Sequence, residues 1–494
     1  MNASKQRTRN NGGATRAAGA PFDVVGIGFG PANLALALAL KEGCETLGGG
    51  PSLDSVFLER KPCYEWHPDM LLSGAEVQVP FLKDLVTLRN PKSHYTFLNY
   101  LQLHGRLIDF VNLRSWFPTR LEFNHYYRWV AAQLADRVRY GREVLEVQPV
   151  AGQARAGGDG RNGGDGRNGG DGADRAVEML RISARDLATG EVEEYLTRHL
   201  VLATGASPYI PPGIDIGVTD KVFHSHGFLT EVRRHFPRED APYRFIVVGS
   251  GQSAAEIFQY LFSHYTNAEV TAVMRRFAFK PADESEFVNE IYAPAMTDVY
   301  FRLPEQERRA LLAVHSDTNY SAVDVELIRA IFKAMYEKKV VGDSKVRIRS
   351  LRELRQLEPN GDGGGAIVAT LWNKAEGRLE RMEADGVVLA TGFERSRPPA
   401  LLRQLAPFLL AGGEGCFRVG RDYRVQSVPG FAPRIYLQGF CESTHGIPDG
   451  LLSVLPVRSG EIAQSLLADV GAAARHEDLV PVAAAAAAFQ EGQP

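Results

Sequence analysis

The sequence predicts an α/β protein built from two Rossmann-like dinucleotide-binding domains, one inserted into the other, with a small helical region attached. Two Gly-rich turns, at residues 26–31 and 249–253, each follow an apolar β-type run and open a helical run. The pentapeptide Val-Leu-Ala-Thr-Gly occurs at 201–205 and again at 388–392, bracketing the second βαβ unit. Each copy reads as a buried strand ending in a small-residue turn, so the chain is expected to cross between domains near each one. Chance recurrence of an ordinary buried strand is the alternative.

Taken in order, residues 1–20 are polar and rich in Asn, Arg, Gly and Ala, with no apolar signal-peptide core, and read as a disordered tail. Residues 22–27 form a strand, 32–41 a helix, and 55–58 a second strand that ends at Glu59. A Gly-rich run at 48–51 lengthens that connection. Residues 153–175 repeat Gly-Gly-Asp-Gly-Arg-Asn, a composition that forbids a packed core and reads as a flexible insert. Its six-residue period argues against a calcium-binding nonapeptide repeat. The second unit runs as strand 244–248, turn 249–251, helix 253–264 and strand 269–274, and residues 304–339 look mainly helical. The expected division is therefore a first domain over 21–240 and 385–470, and a second over 241–384 that carries a helical region at 285–345. A tail at 471–494 includes the alanine run 483–488.

The 494 residues, 44% hydrophobic, suffice for two or three domains with large cores. A net charge of -3 and a pI near 6.5 give no basic face for nucleic acid or an anionic membrane. No stretch approaches 18 clean apolar residues, the length a membrane span needs. Cys44, Cys63, Cys416 and Cys441 form neither CxxC nor CxxxxC. A metal site and a redox dithiol are therefore not expected, and a reducing cytoplasm fits.

In the first turn, Gly26, Gly28 and Gly30 let the backbone approach a pyrophosphate, and the helix N-terminus offers it free N–H groups. Pro31 takes the place of a further glycine, and proline suits a first helical turn because its missing N–H is not needed there. Glu59 is the expected partner of the ribose hydroxyls. The second turn, Gly249-Ser250-Gly251-Gln252-Ser253, follows the same logic, but Arg275 and Arg276 stand where an acid would end the second strand. A carboxylate would repel a 2′-phosphate, whereas a guanidinium binds it bidentately. The pair of sites thus points to FAD at the first turn and NADPH at the second. With no dithiol to receive electrons, oxygen or a small external acceptor is the remaining outlet.

At this point the residues resemble a known family. FDVVGIGFGPANLAL at 22–36 is similar to the opening of the microbial ornithine and lysine N-hydroxylases of siderophore biosynthesis. So are Trp66-His67-Pro68, the run Gln78-Val79-Pro80-Phe81-Leu82-Lys83-Asp84-Leu85, Phe97-Leu98-Asn99-Tyr100-Leu101, and residues 249–256. Phe287-Val288-Asn289-Glu290, Thr318-Asn319-Tyr320-Ser321, Leu451-Leu452-Ser453 and Arg458-Ser459-Gly460-Glu461 complete the resemblance, which spans about 21–468. It implies an FAD domain, an inserted NADPH domain and a helical substrate region. It also implies the chemistry: NADPH reduces FAD, oxygen adds as a C4a-hydroperoxide, and the neutral side-chain amine of the substrate attacks its distal oxygen.

Carried over by position, the resemblance gives Lys83 the substrate carboxylate, and Asn289 the α-amino and carboxylate groups; an amide that both donates and accepts suits a zwitterion. Glu290, Ile291 and Tyr292 extend that substrate-binding segment. Asn319 bridges substrate and nicotinamide, and Ser453 lies near the substrate's far end. Gln78 sits over the flavin ring and, with Asn319, is the catalytic candidate. Arg60, Lys61, Trp66, His67, Val144, Gly450, Leu451 and Leu452 line the FAD; Tyr320 and Ser321 join the second turn and Arg275 on NADPH. His67, between Trp66 and Pro68, reads as a packed or flavin-contacting side chain rather than a general base. Residues 451–460 and 317–323 resemble the ornithine branch, although one methylene discriminates by only about 1–3 kcal/mol. L-ornithine and molecular oxygen are the implied partners, and a homodimer or homotetramer the implied assembly. A lysine or diamine hydroxylase, an NADPH oxidase or reductase that never hydroxylates, and a nucleotide-binding sensor stay open as alternatives.

Overall fold

The computed structural model describes residues 20–46, 53–152, 176–283, 285–361, 365–395, 399–413 and 415–468. The expected tails before residue 20 and at 471–494, the insert at 153–175 and the Gly-rich run at 48–51 lie outside the described residues.

The strand Phe22–Ile27 is almost wholly buried, as a strand covered on both faces must be. It pairs in parallel with Ser55–Glu59 on one side and with the second half of Val192–Leu202 on the other. Val138–Tyr140 adds to the far side of Ser55–Glu59, and Arg434–Leu437 runs parallel to residues 199–202. The first half of Val192–Leu202 instead pairs antiparallel with Val177–Asp186, which pairs in turn with Arg142–Ala151. One long strand therefore belongs to both a parallel sheet and an antiparallel meander. The helix Pro31–Thr46 is buried throughout 34–40, because it lies between this sheet and the helix Leu455–Leu467. That burial explains why its sequence is apolar on all sides rather than along one stripe.

The second sheet has five parallel strands in the order Val346–Ser350, Glu269–Met274, Arg244–Val248, Gly386–Leu389, Val222–His224. The helix Gln252–His264 packs on it through Ala254, Ile257, Phe258 and Leu261. An antiparallel sheet of Arg352–Pro359, Ile367–Asn373 and Arg378–Ala384 adjoins it.

This topology corrects the expected boundaries. Divisions at 240/241 and 384/385 cut through the second sheet, which takes in both Val222–His224 and Gly386–Leu389. Short apolar strands do not reveal their partners, so sequence alone assigned these two to the wrong side. The first Val-Leu-Ala-Thr-Gly copy ends a strand of the first sheet and the second copy ends a strand of the second. Just beyond them, Ser207–Pro208 and Phe393–Glu394 pair as a two-stranded antiparallel ribbon, so both crossings run side by side. The stretch at 304–339 divides into the helices Glu305–His315 and Val325–Val340. Between them, Ala322–Val323 pairs with Lys280–Pro281, and Ser321 holds a positive φ of 59°.

Candidate active site

The two Gly-rich turns open onto one cavity of about 1310 Å³. In the first turn Gly28 has φ 83°, and a Cβ there would lie 2.6 Å from the Ala203 carbonyl oxygen. A Cβ on Gly30 would meet nothing within 4 Å, so that glycine keeps the backbone open to the cavity. Gly26 is not in the cavity wall: it sits within the first strand, where the Phe57 ring occupies the place of a Cβ at 2.2 Å. The helix does begin at Pro31. Glu59 Oε2 accepts from Phe29 N–H at 2.6 Å and Oε1 from Lys61 N–H at 2.9 Å, which fixes the carboxylate while leaving lone pairs for a ligand.

Arg60, Lys61, Trp66, His67, Val144, Gly450, Leu451 and Leu452 all line the cavity. Val144 stands next to a register shift in its strand pairing, an irregularity of the kind that re-aims a side chain. His67 has a left-handed backbone, φ 47° and ψ 53°, with its ring 5.2 Å from Trp66 and 6.4 Å from Phe393.

Around the second turn, Gly249, Ser250, Gly251, Gln252, Ser253, Arg275, Asn319, Tyr320 and Ser321 line the same cavity. A Cβ on Gly249 would lie 2.2 Å from the Ala390 carbonyl oxygen, and one on Gly251 3.3 Å from Ser321 Cα. The second glycine therefore lets the 319–321 loop close on the turn. Arg275 is exposed on the wall and makes no ion pair among the described residues. Arg276 is outside the wall. The Tyr320 hydroxyl donates to Glu442, which joins this loop to the segment that carries residues 447–454.

The expected substrate residues divide. Lys83 Nζ lies 3.4 Å from Ser453 Oγ and 5.8 Å from the centre of the Tyr292 ring. Ser453 is buried and directly follows Leu452 of the cavity wall, although none of the three residues is itself in that wall. Burial lowers the Lys83 pKa from the usual lysine range. No acidic side chain pairs with Lys83 among the described residues, so its charge has no counter-ion among them. Asn289 and Glu290 are exposed, close in sequence to Tyr292 but outside the wall, and the Ile291 side chain is buried in the protein. Gln78 is exposed and is likewise not in the wall.

Sequence reading missed the groups that hold this geometry. Buried Asp84 accepts from the backbone N–H groups of Val86, Thr87 and Phe97 at 2.9, 2.7 and 2.7 Å, and from Thr87 Oγ1 at 2.8 Å, which staples the loop just after Lys83. Asn33 Nδ2 donates to the Gly28 carbonyl at 2.7 Å, and Gln438 Nε2 donates to Asn33 Oδ1 at 2.8 Å, bracing the first turn. Arg458 donates to both the carbonyl and carboxylate of Asp449, anchoring the segment that holds Gly450 to Ser453. Arg421 clamps Asp298 at 2.6 Å and Glu461 at 2.9 and 3.0 Å, tying the helix that follows Tyr292 to the first domain. An Asp adjoining Lys83 and an Asn two residues after Pro31 were visible signals, but their bonding partners are not local in sequence.

A family model described as L-lysine 6-monooxygenase/L-ornithine 5-monooxygenase matches residues 20–160 and 169–395. The chain belongs to this family. It is 42% identical over 432 residues to an L-ornithine N(5)-monooxygenase of Burkholderia cepacia, covering 86% of this chain and 90% of that one. The solved ornithine hydroxylase PvdA from Pseudomonas aeruginosa matches with a TM-score of 0.79 at 39% identity, over 90% of this chain and 99% of that one. The Kutzneria sp. 744 ornithine N-hydroxylase KtzI, solved with reduced FAD, NADP+ and L-ornithine, matches with a TM-score of 0.81 at 35% identity, over 91% and 100%. The cavity of this monooxygenase suits two dinucleotides. Besides its two turns, it has buried polar atoms on wall residues, Gln438 Oε1, Arg395 Nε and Arg458 Nε, that no group among the described residues satisfies. Buried polar atoms seldom go unpaired, and a polar ligand would supply the missing partners.

Proposed function

We propose that this chain is an NADPH- and O2-dependent L-ornithine N5-monooxygenase, which converts the side-chain (δ) amine of L-ornithine to N5-hydroxyornithine for a hydroxamate siderophore or a related natural product. Bound FAD supplies the redox centre that takes hydride from NADPH and activates oxygen. Gly28, Gly30, Pro31, Glu59 and the wall from Lys61 to His67 would hold it. The turn at 249–253, Arg275 and the 319–321 loop would hold NADPH. The observation that carries the reading is Lys83: an ammonium with no acidic partner among the described residues, beside Tyr292 and the Ser453 that directly follows Leu452 of the cavity wall.

Lys83 takes the ornithine carboxylate, and Ser453 and Tyr292 orient the chain beside it. The reacting amine resembles a lysine, with a free pKa near 10.4, so at neutral pH only about one molecule in 10³ carries the lone pair it needs. Desolvation against Leu451 and Leu452 favours that neutral form, and the same closure keeps water from the reaction. A lysine substrate would satisfy Lys83 equally well and differ by one methylene, whereas a diamine would leave Lys83 with nothing to bind. No helix among the described residues is long and apolar enough to cross a membrane, and dependence on NADPH suits the cytoplasm.

The test is hydroxylamine formed per NADPH consumed with ornithine, lysine and putrescine. Ornithine is expected to give near-stoichiometric hydroxylamine and the highest kcat/KM. Oxidation of NADPH with only peroxide released, under every substrate, would reject the reading.

A further inference from the structure

Arg120 opens the helix Arg120–Ala132 of the first domain, and Glu256 lies one turn into the helix Gln252–His264 of the second. Their side chains form a bidentate pair, Nη1 to Oε2 at 2.9 Å and Nη2 to Oε1 at 2.8 Å. Both are largely buried, at 12% and 5% side-chain exposure, so water and salt screen the pair little. Arg120 is itself rooted in the stretch that leads to Lys83: its N–H donates to the Ala75 carbonyl, and Nη1 to that of Met70, each at 2.7 Å. Asp69, one residue before Met70, accepts from Thr230 N–H of the second domain at 2.8 Å. Trp66 and His67 of the cavity wall immediately precede this junction.

On the other side, Gln252 Nε2 donates to Glu256 Oε1 at 2.9 Å, and Gln252 Oε1 accepts from Asp324 N–H at 2.8 Å. Gln252 belongs to the second turn, and Asp324 closes the loop that carries Asn319, Tyr320 and Ser321. A continuous polar chain therefore runs from Arg120 through Glu256 and Gln252 to that loop. Meanwhile the covalent crossings between domains form only the short ribbon of Ser207–Pro208 and Phe393–Glu394. Such a ribbon leaves rotation of one domain against the other to be set by side-chain contacts.

We infer that Arg120 and Glu256 are positioning residues for hydride delivery: the pair fixes the orientation of the second turn and the 319–321 loop relative to the first domain. The inference rests on the reading that this turn holds NADPH. A guanidinium fork is needed, because a lysine cannot hold both carboxylate oxygens in one plane. Neither residue is in the cavity wall, so substitution removes no group that lines it.

The experiment is anaerobic stopped-flow reduction of the flavin-loaded enzyme by saturating NADPH, for wild type, Glu256→Gln and Arg120→Lys. Both variants are expected to keep flavin and an ornithine KM within threefold of wild type, while the limiting reduction rate falls at least tenfold in Glu256→Gln and less in Arg120→Lys. A limiting rate within twofold of wild type in the variants that retain flavin overturns the inference, whatever their melting temperatures. If Glu256→Gln loses flavin, Arg120→Lys decides alone. Should wild-type enzyme not be reduced by NADPH, the NADPH reading has failed; wild-type reduction with unimpaired variants rejects only the positioning role.

Discussion

Replacing Lys83 by Met keeps the length and much of the packing of the side chain while deleting the charge that the site leaves unpaired. The structure sets the scale of the loss. The ammonium is half-buried, its neighbours Ser453 and Tyr292 are neutral, and no carboxylate shares it among the described residues. A hydrogen bond to a charged group contributes about 1.5–3 kcal/mol net, and leaving a desolvated partner charge unpaired raises that to about 2–4 kcal/mol. At about 1.4 kcal/mol per tenfold, kcat/KM for ornithine should fall roughly 30- to 700-fold, mostly through KM. Anaerobic flavin reduction by NADPH should stay within twofold, because Lys83 is not in the wall of the cavity that the turns share. Putrescine, which has no carboxylate, serves as the internal control and should lose little. The pH dependence has a defined sign: burial lowers the Lys83 pKa, so its charge is lost at a lower pH than for an ordinary lysine. The wild-type KM for ornithine should therefore rise on the alkaline side, and Lys83→Arg, which cannot deprotonate in that range, should flatten this limb. An ornithine KM within threefold of wild type in Lys83→Met would refute the carboxylate role and, with it, the main support for an amino-acid substrate.

Arg275→Ala should cut the preference for NADPH over NADH by roughly 10- to 100-fold, since a bidentate phosphate contact is worth about 1.5–3 kcal/mol; an unchanged ratio of kcat/KM values places the 2′-phosphate elsewhere. Asp84→Ala strips four hydrogen bonds from the Lys83 loop and should cost about 3–5 kcal/mol of stability, read as a lowered thermal midpoint, with Asp84→Asn intermediate. Burial holds the pKa of both His224 and His445 down to about 4, so the fold prefers their neutral forms. The unfolded chain binds more protons between about pH 6.5 and 4, so their contribution is complete above about 6.5 and is lost as pH falls through that window, by about 1–3 kcal/mol each. Replacing both by Gln should flatten the decline of the melting temperature over that range, and an unchanged slope would assign acid sensitivity to other groups.

Most of the scaffold was legible because its signals are local. A glycine turn between a strand and a helix states its geometry within six residues, and Glu59 and Arg275 stand at strand ends, where dinucleotide folds commonly carry the group that meets the ribose. What sequence did not reveal is pairing at a distance. Val222–His224 and Gly386–Leu389 are short buried strands whose sheet is set by the neighbours they meet, so the expected boundaries left both strands outside the domain whose sheet they complete. The substrate segment illustrates the same limit at finer scale. Lys83, Tyr292 and Ser453 converge from three distant stretches, yet Ile291, adjacent to Tyr292, turns into the core, and Asn289 and Gln78 are exposed. Motif position therefore locates a segment, while the direction of each side chain depends on the packing around it.

That distinction bears on how the enzyme works. The groups proposed to touch ligands lie on turns and loops: 28–31, 66–67, Lys83, 249–253, 319–321 and 450–453. Four of these stretches are held by buried polar residues: Asn33 and Gln438 for the first turn, Asp84 for the Lys83 loop, Glu256 for the second turn, and Asp449 and Arg458 for the segment that ends in Ser453. A buried polar network is costly unless fully satisfied, and then it specifies one arrangement. Three atoms in this network's vicinity, on Gln438, Arg395 and Arg458, lack partners among the described residues. Ligand binding would complete the set, so cofactor occupancy and loop order should rise together: the holoenzyme should resist proteolysis at 66–83 and 447–454 better than flavin-stripped protein. Equal cleavage of the two forms would mean that the loops are set by the protein alone.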